Sequence, residues 1–140
     1  YMICGRPHQI SKVIMPDLIV ANNVVEPTNS IRNLGAYHDR ELSLKVHVTN
    51  VCKAANFHLH NLAHLHRYLQ KPELETLVHA FVSSRIDYMN ALLYGLPYQT
   101  IRPIQLVQNR AARLVAGTRL RQHITPVLIS LHWLLVKYRI

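Results

Sequence analysis

HAFVSSRIDYMNALLYGLP (His79–Pro97), continued after a short gap by IQLVQNRAARLVAGTR (Ile104–Arg119), decides what kind of fold this chain takes. Apolar residues in the first run, with those just before it, recur at helical steps: Leu74, Leu77, Val78, Phe81, Val82 and Ile86. Three- and four-residue spacing of this sort marks a helix with one buried stripe. Gly95-Leu96-Pro97 then breaks the chain, because glycine reaches conformations closed to other residues and proline lacks an amide proton. A further helix is predicted from about Arg102 or Pro103 to Ala116, stopped by Gly117, a residue type suited to the left-handed cap. The fold is therefore built around a helical bundle.

Working outward, Pro72 suits the first turn of the helix before this break, where Glu73 and Glu75 favour its positive end. Earlier still, Leu44, Val48, Val51, Cys52, Ala55, Leu59 and Leu62 form a long amphipathic stripe from Glu41 onward. Downstream, Thr125-Pro126 reads as an N-cap and first-turn pair for a short helix through about Leu131. The first forty residues differ in period. Leu18-Ile19-Val20 and Val24-Val25 flank Ala21-Asn22-Asn23, a hairpin signal, and Ile31–His38 reads as a third strand containing Leu34-Gly35. Glycine inside a strand marks a bulge or a close backbone approach. The expectation is an α+β chain: a short N-terminal antiparallel β-hairpin segment over 1–40, then a mainly α-helical bundle over 41–140.

The chain has 140 residues, 49% of them apolar, enough for one domain with a real core. Cys4 and Cys52 are far apart and in no metal-ligand spacing, which argues against a disulfide scaffold. No apolar run nears the ~18 residues of a membrane span, and no signal-peptide layout opens the chain; an intracellular setting, nucleus or cytoplasm, is expected. The chain begins on the strand-like Tyr1–Gly5 and ends on Lys137-Tyr138-Arg139-Ile140, and both ends read as cuts through a longer protein.

The net charge of +9 is unevenly placed. Every acid lies at or before Asp87; beyond it come Arg102, Arg110, Arg113, Arg119, Arg121, Lys137 and Arg139. A one-signed half suits a polyanion, since each neutralised phosphate releases counterions. At about 100° per residue, the helix ending at Ala116 gathers Ile104, Val107, Ala111, Leu114 and Val115 on one side. Asn109, Arg110 and Arg113 gather opposite, Gln105 lies at the edge, and Leu106 interrupts the polar side. Amides beside arginines match contacts to sugar and phosphate, although an ordinary solvated face fits the same pattern.

Catalytic patterns are missing. Ser83-Ser84 has Asp87 one turn later but no nucleophile elbow, and Asp87 is expected to pair with Arg85 or cap a neighbouring backbone. The glycines are scattered singly, and no adjacent Asp-Asp pair supplies the clustered carboxylates of two-metal phosphoryl transfer. His60 and His64 stand four apart, as paired ligands do, yet no acid or cysteine lies near and no HExxH motif occurs; surface histidines are expected, with His58 and His66 pointing elsewhere. No metal and no cofactor is expected in this chain.

Five stretches together resemble the C-terminal part of reverse transcriptases of LINE-type (non-LTR) retrotransposons: SIRNLGAYHDRELSLKVHV (Ser30–Val48), NVCKAANFHLHNLAHLHRYL (Asn50–Leu69), LETLVHAFVSSRIDYMNALLYGLP (Leu74–Pro97), LVQNRAARLVAGT (Leu106–Thr118) and HITPVLISLHWL (His123–Leu134). The resemblance implies the end of a palm and a primer grip in 1–40 and a thumb in 41–140. It implies a primer–template duplex of RNA or DNA as partner, no membrane, and a missing palm packed against the β segment. The Mg²⁺-binding carboxylates of the intact polymerase would lie outside this chain, which alone is expected to be inactive. Leu34 and Gly35 would meet the primer by backbone; charge and position add Lys45, Lys53, Arg110, Arg113, Arg119 and Arg121 as contacts. The alternatives are a helical protein-interaction module and a translated relic without function. Relatives of this type commonly carry Arg or Lys at His60, His66 and Leu106, Cys at Met89, proline at Leu135 and none at Pro103. The histidine excess is thereby expected to be a mutational scar, since arginine becomes histidine by a single transition in CpG codons.

Overall fold

A computed structural model describes residues 1–14, 16–119 and 121–140. The chain is α+β, two short hairpins followed by a mainly helical region, and it divides into two compact units, Tyr1–His47 and Val48–Ile140.

In the first unit a single helical turn, α1 (Pro7–Ile10), precedes β1 (Leu18–Val20) and β2 (Asn23–Val25). These strands pair antiparallel, Leu18 with Val25 and Val20 with Asn23. Ala21 and Asn22 connect them with φ of 46° and 66°, the left-handed pair that matches the twist of a two-residue hairpin. Leu18, Ile19, Val20 and Val24 are all exposed, so this hairpin contributes little to a core. A two-stranded hairpin of this kind is marginal alone.

The third strand is the first correction. Ile31–His38 is not one strand but a second hairpin, β3 (Ser30–Asn33) and β4 (Ala36–Asp39), turning at Leu34-Gly35. Leu34 and Gly35 have φ of 46° and 85°, so the glycine serves a tight turn and not a bulge. Nor does helix begin at Glu41. Leu42 and Leu44 adopt φ of 53° and 55°, and Asp39 Oδ1 accepts the Ser43 N–H at 2.9 Å. Left-handed residues and an aspartate-braced turn hold off α2 (Lys45–Leu65) until Lys45.

His47, buried in this unit, accepts the Tyr37 N–H on Nδ1 at 3.5 Å, which places its own proton on Nε2. Burial, and secondarily the charge of His38, pushes its pKa below the ordinary histidine value. The unfolded chain therefore takes up the proton first. Stability from His47 is whole above about pH 6.5 and is lost as pH falls toward the lowered native value. The expected outcome is that His47→Gln, which keeps an acceptor and cannot titrate, flattens the loss of melting temperature between about pH 7 and 5. An unchanged acid slope would assign that loss to other groups.

In the second unit α2 buries Val48, Ala55, Leu59 and Leu62 and ends in a 3₁₀ turn at His66–Tyr68. Next comes α3 (Lys71–Val78), with Pro72 in its first turn and the Gln70 N–H donating to Glu73 Oε2 at 2.9 Å, as expected of a proline-led helix start. Its continuation is a π-turn at His79–Ser83, then α4 (Ser84–Asp87). The extra residue of that wide turn rotates the stripe. Leu74, Val78, Val82, Ser83 and Ile86 are buried, whereas Phe81 is exposed and stacks on His58. A 3₁₀ turn (Asn90–Leu93) and Gly95, at φ 77°, lead into α5 (Tyr98–Ala116).

That helix starts a full turn before Arg102. Pro97 sits at its N-cap, and Pro103 lies inside it. The missing amide proton leaves the Gln99 carbonyl without its helical donor, at residues exposed enough for solvent to substitute. Gly117 ends the helix at φ 62°, with Thr118 N–H on the Arg113 carbonyl and Gly117 N–H on that of Leu114, the paired bonds of a Schellman motif. The last helix, α6 (Ile124–Ser130), starts after His123, so Thr125 is inside it and is not its N-cap. Pro126 then falls at the third position, where an amide proton would lack an intrahelical partner anyway. A 3₁₀ turn (Val136–Tyr138) follows. Buried Ile104, Val107, Gln108, Ala111, Ala112 and Val115 put α5 at the centre, packed on α3, α6 and this last turn. No described helix is long and apolar enough to cross a membrane.

Candidate nucleic-acid interface

Periodicity sets one polar face of α2 beside one of α5. Lys53, Asn56, His60 and Ala63 follow at three- and four-residue steps and so share a side of the helix. Between Asn56–His66 and the Arg110–Thr118 end of α5 runs a groove of about 570 Å³. Leu59, Ala63 and Leu114 supply apolar lining; Asn56, His60, His66, Arg110, Arg113 and Thr118 supply the polar groups, and no lining residue is acidic.

Each arginine is braced on one side. Arg110 Nη1 donates to Asn56 Oδ1 at 3.0 Å, and Arg113 Nη2 to the Gln122 carbonyl at 3.2 Å. A guanidinium has five donors in a rigid fork, so most of those on exposed Arg110 remain for a ligand. Arg113 is half-buried, and its Nε and the Thr118 Oγ1 are buried without a hydrogen-bond partner among the described residues. His66 has Nδ1 2.7 Å from the Ala63 carbonyl, a contact that assigns the proton to Nδ1 and leaves Nε2 to the solvent side.

The eight residues predicted as contacts separate. Arg110 and Arg113 come together in the groove. Lys53 is exposed one turn before Asn56 on the same side of α2. Arg119 and Arg121 are exposed beyond the α5 cap, outside the groove lining. Leu34, Gly35 and Lys45 belong to the first unit, with Leu34 74% exposed at the hairpin tip. Asn56, Thr118, His60 and His66 also line the groove and are not among the predicted contacts. The Lys53, Asn56, His60 spacing was the signal for a polar face on α2.

Asp87 pairs with Arg139 and not with Arg85. Burial pushes its carboxyl above the ordinary aspartate value, against the pull of Arg139 and then of His79. The Asn90 amide also donates to the Arg139 carbonyl at 2.7 Å, and His79 meets Trp133 with ring centres 5.1 Å apart. These contacts fasten the C-terminal segment to the α3–α4 region. Among the described residues no three histidines, cysteines or acids gather as a metal cluster. No protein-family model, curated protein or solved structure matches the chain.

Proposed function

We propose that this chain is part of a retrotransposon-derived RNA-directed DNA polymerase, and that its helical unit grips the primer–template duplex by its phosphate backbone. The acid-free groove between α2 and α5, with Arg110 and Arg113 on one wall and His60 and His66 on the other, carries the proposal. A guanidinium fork pairs with phosphate oxygens in two-point fashion, and Asn56 adds an amide beside it. Contacts of this type position a duplex without reading its sequence, which is what a polymerase thumb requires. Lys53, Arg119 and Arg121 extend the positive surface along and beyond the groove, and the Leu34-Gly35 turn is assigned to the primer by resemblance alone. Nucleotide addition, and the Mg²⁺ it needs, belong to the palm that precedes this region in such polymerases.

The test is duplex affinity measured by fluorescence anisotropy across about 50–200 mM salt. Log affinity falls with log salt at roughly 0.9 per neutralised phosphate. Arg110→Glu with Arg113→Glu is expected to lower that slope by about 2 and weaken binding alike for unrelated sequences. An unchanged slope would remove the groove from the contact surface.

A second reading draws on the exposed Leu18, Ile19, Val20 and Val24. Bare apolar strands fit a palm-packing face, and equally a translated relic that lacks its palm. A cooperative thermal transition of the isolated chain would overturn the relic.

A further inference from the structure

His60 and His64 lie on successive turns of α2, both exposed, with their Nε2 atoms 3.1 Å apart and their rings nearly perpendicular. Two imidazoles bound to one divalent ion at metal–nitrogen distances of about 2.0–2.1 Å have nitrogens about 2.8–3.4 Å apart, for angles between those of square and tetrahedral geometry. The pair already has that separation. We propose that His60 and His64 form a two-point site for a borderline divalent ion of the Cu²⁺, Ni²⁺ or Zn²⁺ class.

In the metal-free pair one Nε2–H must donate to the other Nε2, so one ring already carries its proton on Nδ1. Binding needs only that the second ring take the same tautomer and the rings turn slightly, so that both lone pairs meet at the ion. No net proton is lost from the neutral pair, and no backbone movement is needed. Histidines four apart on a helix bring their ligating atoms to one face by construction, and the metal then bridges two turns of α2.

Neighbouring histidines stay out of the site. His66 is committed through Nδ1 to the Ala63 carbonyl, and His58 stacks on Phe81. With two protein ligands the ion keeps its other positions for water or an added oxygen ligand. His60 also lines the groove, so those positions open at its rim. All-nitrogen donors select against hard ions such as Mg²⁺ and rank Cu²⁺ above Ni²⁺ and Zn²⁺.

The site does not depend on the duplex grip, and the measurements keep the two apart. The full chain is titrated with Zn²⁺ by calorimetry in the absence of duplex, beside His60→Ala, His64→Ala and the control His123→Ala. Loss of one direct ligand must cost at least what loss of a supporting contact does, so either pair variant should bind on the order of tenfold or more weakly. The control should bind as the parent does, and Mg²⁺ should give no signal. In parallel, substoichiometric Cu²⁺ should broaden the His60 and His64 ring resonances of the unsubstituted chain before any others. Parental Zn²⁺ affinity in both pair variants, or broadening that starts at other histidines, overturns the site.

Discussion

Ile104→Ala is expected to destabilise the helical unit by about 2–5 kcal/mol, the range for truncating a fully buried branched side chain. Ile104 is 1% exposed, among the largest fully buried side chains, on the helix against which α3 and α6 pack. The lost transfer energy of three carbons is joined by a cavity that α5 cannot close, because Val107, Ala111 and Val115 fix it from the same side. Chemical denaturation is the measurement. The midpoint should fall with little change in the slope against denaturant, since the area exposed on unfolding is almost constant. A cost below about 1 kcal/mol would mean that the site collapses around the alanine or that α5 is not central.

Gln108→Leu should cost about 1–3 kcal/mol and act in a different place. Gln108 is 2% exposed, and its Nε2 donates to the Leu134 carbonyl at 2.7 Å. Its Oε1 accepts from Gln105 Nε2 at 2.9 Å, and Gln105 Oε1 in turn accepts the Val136 N–H, also at 2.9 Å. Two amides on adjacent turns of α5 thus hold both ends of the Leu134–Val136 segment. Leucine keeps the volume but breaks the relay, leaving Gln105 to its remaining acceptor, Asn109 Oδ1. Hydrogen exchange of the Val136 amide should accelerate more than that of amides within α5, as for local opening of a single segment. Uniform acceleration across the unit would mean that the relay belongs to the global core.

The contrast between these two residues also separates what the sequence made legible from what it did not. Helical period alone puts Ile104 on the buried side. The burial of Gln108 is not legible there, because an amide is at home inside only when a partner such as the distant Leu134 carbonyl meets it. Turn and cap chemistry read well where one residue decides it: Asn22 in the first hairpin, Pro72 at the start of α3, Gly117 at the end of α5. Leu34-Gly35 misled because one glycine serves a bulge and a tight turn equally well, and the choice depends on whether β3 and β4 pair. Phe81 leaves the predicted buried stripe for a similar reason, since a π-turn changes the helical period. In the groove, the arginines are legible from the period of α5, but their facing wall comes from a helix 54 residues away at the Asn56–Arg110 contact. No local pattern joins Arg110 to Asn56, or Asp87 to Arg139.

That last pair has a consequence in time. Its partners are 52 residues apart in the chain, and synthesis proceeds at about 5–20 residues per second. Asp87 is therefore joined to the chain roughly 3–10 s before Arg139. Until that interval ends, the π-turn, α4 and, once it has been made, the central helix lack the segment that closes over them, and Gln108 lacks the Leu134 carbonyl to which it donates. Slowing translation between Asp87 and Arg139 should lengthen the period in which nascent chains are open to chaperones and proteases, and speeding it should shorten that period.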